Sequence, residues 1–291
     1  MKPMNLSKTF CALLLGAVSG LVAFCAESAA PPQDDGLVGL WQFEEGSGTA
    51  VKDSSTHHND GTIIGTGVGA PVWGTGEFAG SLSFTGADGN HVRIPASPSL
   101  NQLTKHLTVV AHVRPRTLWA PRPFWAFWRD KPTGTGFIAV VQRQWQTTNH
   151  PDLFYLGFGP NKDALAYKWH LGLVTPQNRG VSLYCLPASR EGPVAGQWMQ
   201  LAGTYDSDAG KMVLYVDGTP ICSRAGTGAI RLDAESLDRP LIIGGELNVA
   251  DINATSNEFD GYIDEVRIYN RALSAVEIKA LADEWKKRGT R

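Results

Sequence analysis

Phe259-Asp-Gly-Tyr-Ile-Asp-Glu-Val-Arg-Ile-Tyr-Asn-Arg-Ala-Leu-Ser-Ala-Val-Glu-Ile-Lys-Ala-Leu281 is the stretch whose reading decides the fold. Its first half has the period of two expected of a strand. Strict alternation puts Tyr262, Asp264, Val266 and Ile268 on one face, and Ile263, Glu265, Arg267 and Tyr269 on the other. Asp264 is then the one acid in an otherwise apolar row. A carboxylate facing a core must be paired, hydrogen-bonded or bound to a cation, because burying it alone is too costly. Ser274-x-x-Glu277 follows as a capping box, and Ile278, Leu281 and Trp285 continue at helical spacing. A closing strand therefore runs directly into a short amphipathic helix.

The same stretch resembles the C-terminal signature of the LamG-like jelly-roll domains, in the concanavalin A-like lectin/glucanase group. There a strand of the type F-x-G-x-I-D-E-V-R-I-Y precedes a helix of the type A-L-S-x-x-E-I. Working outward, further family-like segments occur. Leu37-Val-Gly-Leu-Trp-Gln-Phe-Glu-Glu-Gly is similar to the opening strand, and Asp53-Ser-Ser-Thr-His-His-Asn-Asp-Gly-Thr to the loop after it. Gly74 to Phe84, followed by His91-Val-Arg-Ile-Pro, resembles the pattern G-x-x-L-x-F-x-G…V-x-I-P. Gly196-Gln-Trp-Met-Gln-Leu-Ala-Gly-Thr-Tyr-Asp and Lys211-Met-Val-Leu-Tyr-Val-Asp-Gly read as a hairpin of the same family type. His112 stands where the family usually has Trp. The stretch from Arg116 to Pro193 matches only loosely; strands fit near 124–128, 137–142, 153–158 and 181–186.

About a dozen short strands and one C-terminal helix imply an all-β, two-sheet jelly-roll β-sandwich. No linker-like shift in composition interrupts residues 37–284, which are taken as one domain after a linker at 29–36, with 285–291 as a tail. At the N-terminus, Lys2 and Lys8 flank an apolar run from Phe10 to Phe24. Ala26-Glu27-Ser28 then offers small residues to a signal peptidase. Residues 1–28 are therefore expected to be a signal peptide and the protein to be secreted or periplasmic, with no stable membrane insertion. A lipid anchor at Cys25 would need a small residue before it, where Phe24 stands.

The 291-residue chain has 26 Lys and Arg against 28 Asp and Glu, a formal charge of −2, with no block of like charges. That balance argues against nucleic acid as a partner. Beyond the leader only Cys185 and Cys222 remain, and in an oxidising compartment they are expected to form a disulfide, two buried thiols being the alternative.

Three chemistries are worth weighing. The resemblance implies a structural calcium between the start and the end of the chain, with Asp264, Glu44 and Asp53 as ligands; the other reading has Asp264 capping amides or pairing with Arg267 or Arg271. Hydrolysis of glycosidic bonds would need carboxylates spaced E-x-D-x-E or E-x-D-x-x-E on one strand. Glu258-Phe-Asp260-Gly-Tyr-Ile-Asp264 has the wrong third spacing and is interrupted by Gly261. H-E-x-x-H and G-x-S-x-G are absent from the chain. No catalytic residues are assigned. Binding fits better: the aromatic-rich middle of the chain, with Trp119, Trp125, Trp145, Arg143 and Asn149, offers rings for sugar faces and polar groups for hydroxyls. A glycan is the expected partner, with an extracellular protein as the alternative.

Overall fold

A computed structural model describes residues 35–65, 69–75, 79–87, 89–118, 137–144, 152–161, 164–173, 181–186, 192–232, 234, 236–247 and 255–288. In chain order the strands are β1 (Leu37–Trp41), β2 (Ala50–Val51), β3 (Gly61–Ile64), β4 (Val72–Trp73), β5 (Leu82–Thr85), β6 (His91–Ile94), β7 (His106–Pro115), β8 (Ile138–Gln144) and β9 (Asp152–Asn161). There follow β10 (Ala164–Leu171), β11 (Val181–Cys185), β12 (Met199–Asp206), β13 (Lys211–Val216), β14 (Thr219–Ala225), β15 (Leu241–Ile243), β16 (Glu246–Leu247), β17 (Thr255–Ser256) and β18 (Asp260–Tyr269). Helix α1 (Ala275–Arg288) closes the described chain.

The first sheet has the order β14-β13-β12-β7-β18-β5-β4, with β1 also on β18; the second runs β11-β10-β9-β8-β15-β6-β3-β2. All pairings are antiparallel, and the molecule is an all-β sandwich of jelly-roll type. Strand β18 is the hub of the first sheet. One edge pairs with β7, while the other is shared between β5 at Asp260–Ile263 and β1 at Val266–Tyr269. The first and last strands thus lie side by side.

Alternation on β18 breaks where the sequence looks regular. The register with β7 shifts between Asp264 and Arg267, and Glu265 has φ 48°. A bulge there adds one residue and changes which side chains face inward. Ile263, Val266 and Ile268 enter the core, so Asp264 does not share a face with Val266 and Ile268. It lies on the outer face of the sheet, beside its cross-strand neighbour His112.

The core between the sheets is apolar from both sides. Trp169 of β10 reaches across to β12, where a Cβ on Gly203 would come within 2.4 Å of its indole ring; only a residue without a side chain leaves room. Trp41 of β1 is fully buried. A second, smaller core forms outside the first sheet. Helix α1 lays Ile278 and Leu281 on Val110, Ala202 and Tyr269, with Leu273 alongside. Burying each such aliphatic side chain contributes roughly 1.5–3 kcal/mol.

The helix starts where the capping box predicts. Glu277 Oε2 accepts from Ser274 N at 2.8 Å, and Glu277 N donates back to Ser274 Oγ at 3.3 Å. It ends later than the sequence suggests: Trp285 and Arg288, assigned above to the tail, are packed into the fold. No described helix is long and apolar enough to cross a membrane.

Cys185 and Cys222 form a disulfide with Cα atoms 6.1 Å apart. Cys185 is on β11 and Cys222 on β14, the outermost strands of the two sheets at one side of the sandwich. The bond therefore joins the sheets covalently where no strand bridges them. Closing a 37-residue separation constrains the unfolded chain by about 4 kcal/mol on a chain-entropy basis.

Candidate functional site

The expected ligand residues lie in and around β8. Trp119, Trp125, Trp145 and Asn149 fall outside the described residues, as does the strand expected at 124–128. Arg143 is described, and it does not face a ligand. It is 1% exposed, and its guanidinium donates to the backbone carbonyls of Leu100, Ser236 and Arg239 and to the side chain of Asn101. Burial pulls its pKa down to about 10. Arg143 ties together the loops at that end of the sandwich.

The outer face of the second sheet carries a set of rings next to this region. On β9, Tyr155, Gly157 and Gly159 point outward while Phe154, Leu156 and Phe158 point into the core. On β10, Lys168 and His170 point outward between Tyr167, Trp169 and Leu171, and on β11 Tyr184 does so between Leu183 and Cys185. The Lys168 ammonium lies 3.9 Å from the centre of the Tyr155 ring, 4.2 Å from that of Phe137 and 5.9 Å from that of Tyr184. These are cation–π distances. The glycines make the arrangement fit. A Cβ on Gly159 would sit 2.9 Å from the Phe137 ring and 3.0 Å from that of Tyr184, and one on Gly157 would sit 2.2 Å from the Ile138 carbonyl oxygen. His170 Nδ1 and Ser182 Oγ are 2.6 Å apart, and Arg224 donates to the Ser182 carbonyl at 3.0 Å. Tyr155 and Lys168 are buried and Phe137 is half-buried, so Tyr184, 37% exposed, is the ring by which this aromatic shelf meets solvent.

Strand β10 was not among the strands expected from sequence, although its signal is plain in Leu165, Tyr167, Trp169 and Leu171 alternating with Ala166, Lys168 and His170. Trp198, in a family-like strand, reads from sequence as a core residue, and the structure places it otherwise. Met199 and Leu201 face inward, so Trp198 and Gln200 must face out.

The three carboxylates expected to bind calcium do not form one site. Both oxygens of Asp53 are occupied: Oδ1 accepts from the Leu40 and Ser55 amides at 2.8 Å, and Oδ2 from Ser55 Oγ and the Asn59 amide at 2.7 Å. Asp53 organises the loop after β1 instead. Glu44 is exposed and lies against Gly80. Asp264 Oδ2 accepts the indole N–H of Trp285 at 2.8 Å. Burial pushes the Asp264 carboxyl up to about 7; Glu265 and Glu44 add to this, and the indole N–H opposes it. Calcium asks for six to eight converging oxygens, which this arrangement does not offer.

A different group could hold an ion. His106 at the start of β7 and Asp206 at the end of β12 are cross-strand partners, and Asp208 follows in the turn; their ligand atoms lie within 4.8 Å of one another. The two imidazole nitrogens are 3.3 Å from Asp206 Oδ1 and 3.4 Å from Asp208 Oδ2. A donor set with an imidazole suits a transition metal better than calcium.

A family model described as the Concanavalin A-like lectin/glucanases superfamily matches residues 85–279, about two thirds of the chain. The chain belongs to this superfamily. Among solved members of this fold, domain 4 of AbnA, a GH43 extracellular arabinanase from Geobacillus stearothermophilus, was determined with arabinotriose. It is 18% identical with a TM-score of 0.54, over 84% of this chain and 98% of that one. The binding domain of Paraclostridial Mosquitocidal Protein 1 is 15% identical with a TM-score of 0.57, over 87% of this chain and 53% of that one. Trypanosoma rangeli sialidase is 17% identical with a TM-score of 0.56, over 90% of this chain and 34% of that one. The chain thus spans about half of the mosquitocidal binding domain and a third of the sialidase. At these identities the likeness is one of fold. No curated protein sequence is similar enough to match.

Proposed function

We propose that this concanavalin A-like domain is a secreted, non-catalytic module that binds carbohydrate on the outer face of its second sheet. The observation that carries the reading is the shelf of Phe137, Tyr155 and Tyr184 around Lys168, with Gly157 and Gly159 as its floor. Flat rings beside hydrogen-bonding groups suit the apolar and hydroxylated faces of a sugar. Trp119, Trp125 and Trp145 belong to this proposal through their place in the chain, on the segments that enter and leave β8. A fold relative solved with arabinotriose supports a sugar as the ligand class. The Cys185–Cys222 bond supports an oxidising, extracellular location. A divalent ion, a transition metal rather than calcium, would be structural in this reading and is assigned to His106, Asp206 and Asp208.

The test is a glycan array probed with the mature protein, with calcium and then with chelator, followed by Tyr184→Ala and by alanine at Trp119, Trp125 and Trp145. Loss of a sugar signal without a change in melting temperature is the expected result. Silence on the array under both conditions overturns the reading in favour of the second one, a protein-binding module. That alternative is supported by the toxin binding and receptor-binding domains among the fold relatives.

A further inference from the structure

The outer face of the first sheet carries a second group of rings, on the opposite side of the sandwich from the shelf. Trp285, in the last turn of α1, lies flat on His112 with ring centres 4.5 Å apart and planes within 9°. Its N–H is tied to Asp264. One face covered and the nitrogen engaged, the indole is held in a single orientation. Trp198 abuts it at 5.1 Å and 59°, and Tyr262 lies 6.4 Å beyond Trp198 at 47°. The Arg116 guanidinium closes this end, 5.3 Å from the Tyr262 ring centre. Trp198, Tyr262 and Trp285 are all partly exposed, so the run of rings is neither core nor isolated surface.

A second observation points to a missing molecule. Gln200 stands two residues after Trp198 on the same outward row and is the cross-strand neighbour of His112. It is 1% exposed, yet among the described residues neither its amide nitrogen nor its amide oxygen has a hydrogen-bond partner. A buried amide left in that state is costly, and a leucine would fill the space without the loss. Beside it, the half-buried Asp264 carboxylate accepts from the Trp285 indole and from the Glu265 backbone amide.

We propose that this surface is a second carbohydrate site, in which a sugar ring stacks on Trp198 and Trp285 while its hydroxyls reach Gln200 and Asp264. Non-coplanar rings with a donor–acceptor amide and a carboxylate at their base fit a polyhydroxylated ring better than an apolar peptide, which would leave the amide unmet. Reaching Gln200 requires the Trp285 indole to leave its contacts with His112 and Asp264, and that movement of the last helical turn is part of the proposal. With the shelf on the other sheet, the module becomes bivalent, with ligands on opposite sides.

The experiment is calorimetric titration of the full-length protein with the oligosaccharide that scores highest on the array, for wild type, Trp198→Ala, Gln200→Leu and Tyr184→Ala. Two sites per chain are expected in wild type. Trp198→Ala should weaken one of them about tenfold, as losing one stacked ring would. Tyr184→Ala should weaken the other. Gln200→Leu should weaken the Trp198-dependent site while leaving the melting temperature unchanged or raised. Sugar binding that Trp198→Ala and Gln200→Leu both leave intact overturns the inference, as does a Gln200→Leu protein that loses stability, because the amide would then serve the fold. No sugar binding at all overturns it too. One site that depends on Trp198 and not on Tyr184 keeps this inference and removes the shelf.

Discussion

Outside the first sheet, a helix covers Val110, Ala202 and Tyr269 with its own aliphatic side chains and pins its last turn through Trp285 to Asp264 and Arg288 to Glu265. Outside the second sheet, strands β9 to β11 raise rings around one ammonium over a floor of two glycines. The two faces start from the same alternation of inward and outward residues. They differ in what the outward residues are. Aliphatic outward residues require a covering element, and the chain supplies α1. Aromatic and cationic ones pack on one another here: Tyr155 and Lys168 are buried, and Tyr184 brings an exposed ring to the surface. The first face therefore contributes mainly to stability up to the turn that holds Trp285. The second is where substitution should change binding more than folding.

The largest effect should come from the bond that joins the two sides. Reducing Cys185–Cys222, or replacing both with Ser, should lower stability by about 4 kcal/mol in denaturant titration. An unchanged midpoint would mean that β11 and β14 are held together without it. Next, Ile278→Ala on the helix face should cost about 3 kcal/mol by the same measurement, with little effect on ligand binding. If binding falls as steeply as stability, the division between the faces is wrong. On the shelf the order should reverse. Gly159→Ala pushes a methyl group against Phe137 and Tyr184, and should cost about 1 kcal/mol in stability while binding suffers more.

The last test is a pH dependence on the first face. Folding raises the Asp264 pKa from an ordinary value near 3.8 to about 7, so the folded protein binds a proton more tightly than the unfolded chain across that interval. The stability due to this group falls as pH rises from about 4 to 7. Asp264→Asn cannot titrate, so the variant should gain on wild type through the same interval and hold a constant difference above it. His112, whose pKa burial pulls well below its ordinary value, acts in the opposite sense in both proteins and cancels in the comparison. Denaturation at pH 5 and pH 8 checks this. A difference independent of pH would place Asp264 in a more solvated setting.

How much of this could be read in the residues depended on how local the cause was. The capping box at Ser274 and Glu277, the strand-to-helix order at the end of the chain and the buried Trp41 follow from neighbours a few positions apart. The face of Asp264 does not. A bulge at Glu265 shifts the pattern by one residue, and no composition rule marks where it falls. Asp53 and Arg143 were assigned to a metal and a ligand because the residue types suited those tasks; their partners are backbone groups, supplied by the folded loops and invisible in a one-dimensional pattern. Trp198 and β10 are different. Their alternation was present in the sequence and was outweighed by the pull of a Trp toward the core and by a loosely matching middle region.

The antiparallel pairing of β1 with β18 has a mechanical consequence. Leu37 stands opposite Tyr269, so the chain enters the sandwich and leaves its last strand at the same end of the ladder. A load applied between Leu37 and Tyr269 would fall on one terminal hydrogen bond at a time and peel β1 away like a zipper. It would not shear the whole ladder at once. The disulfide, placed at the far edge of the sheet, lies off that line of force. Loaded across that end of the ladder, the domain would yield first at its opening strand, while the sheet-to-sheet link stayed whole.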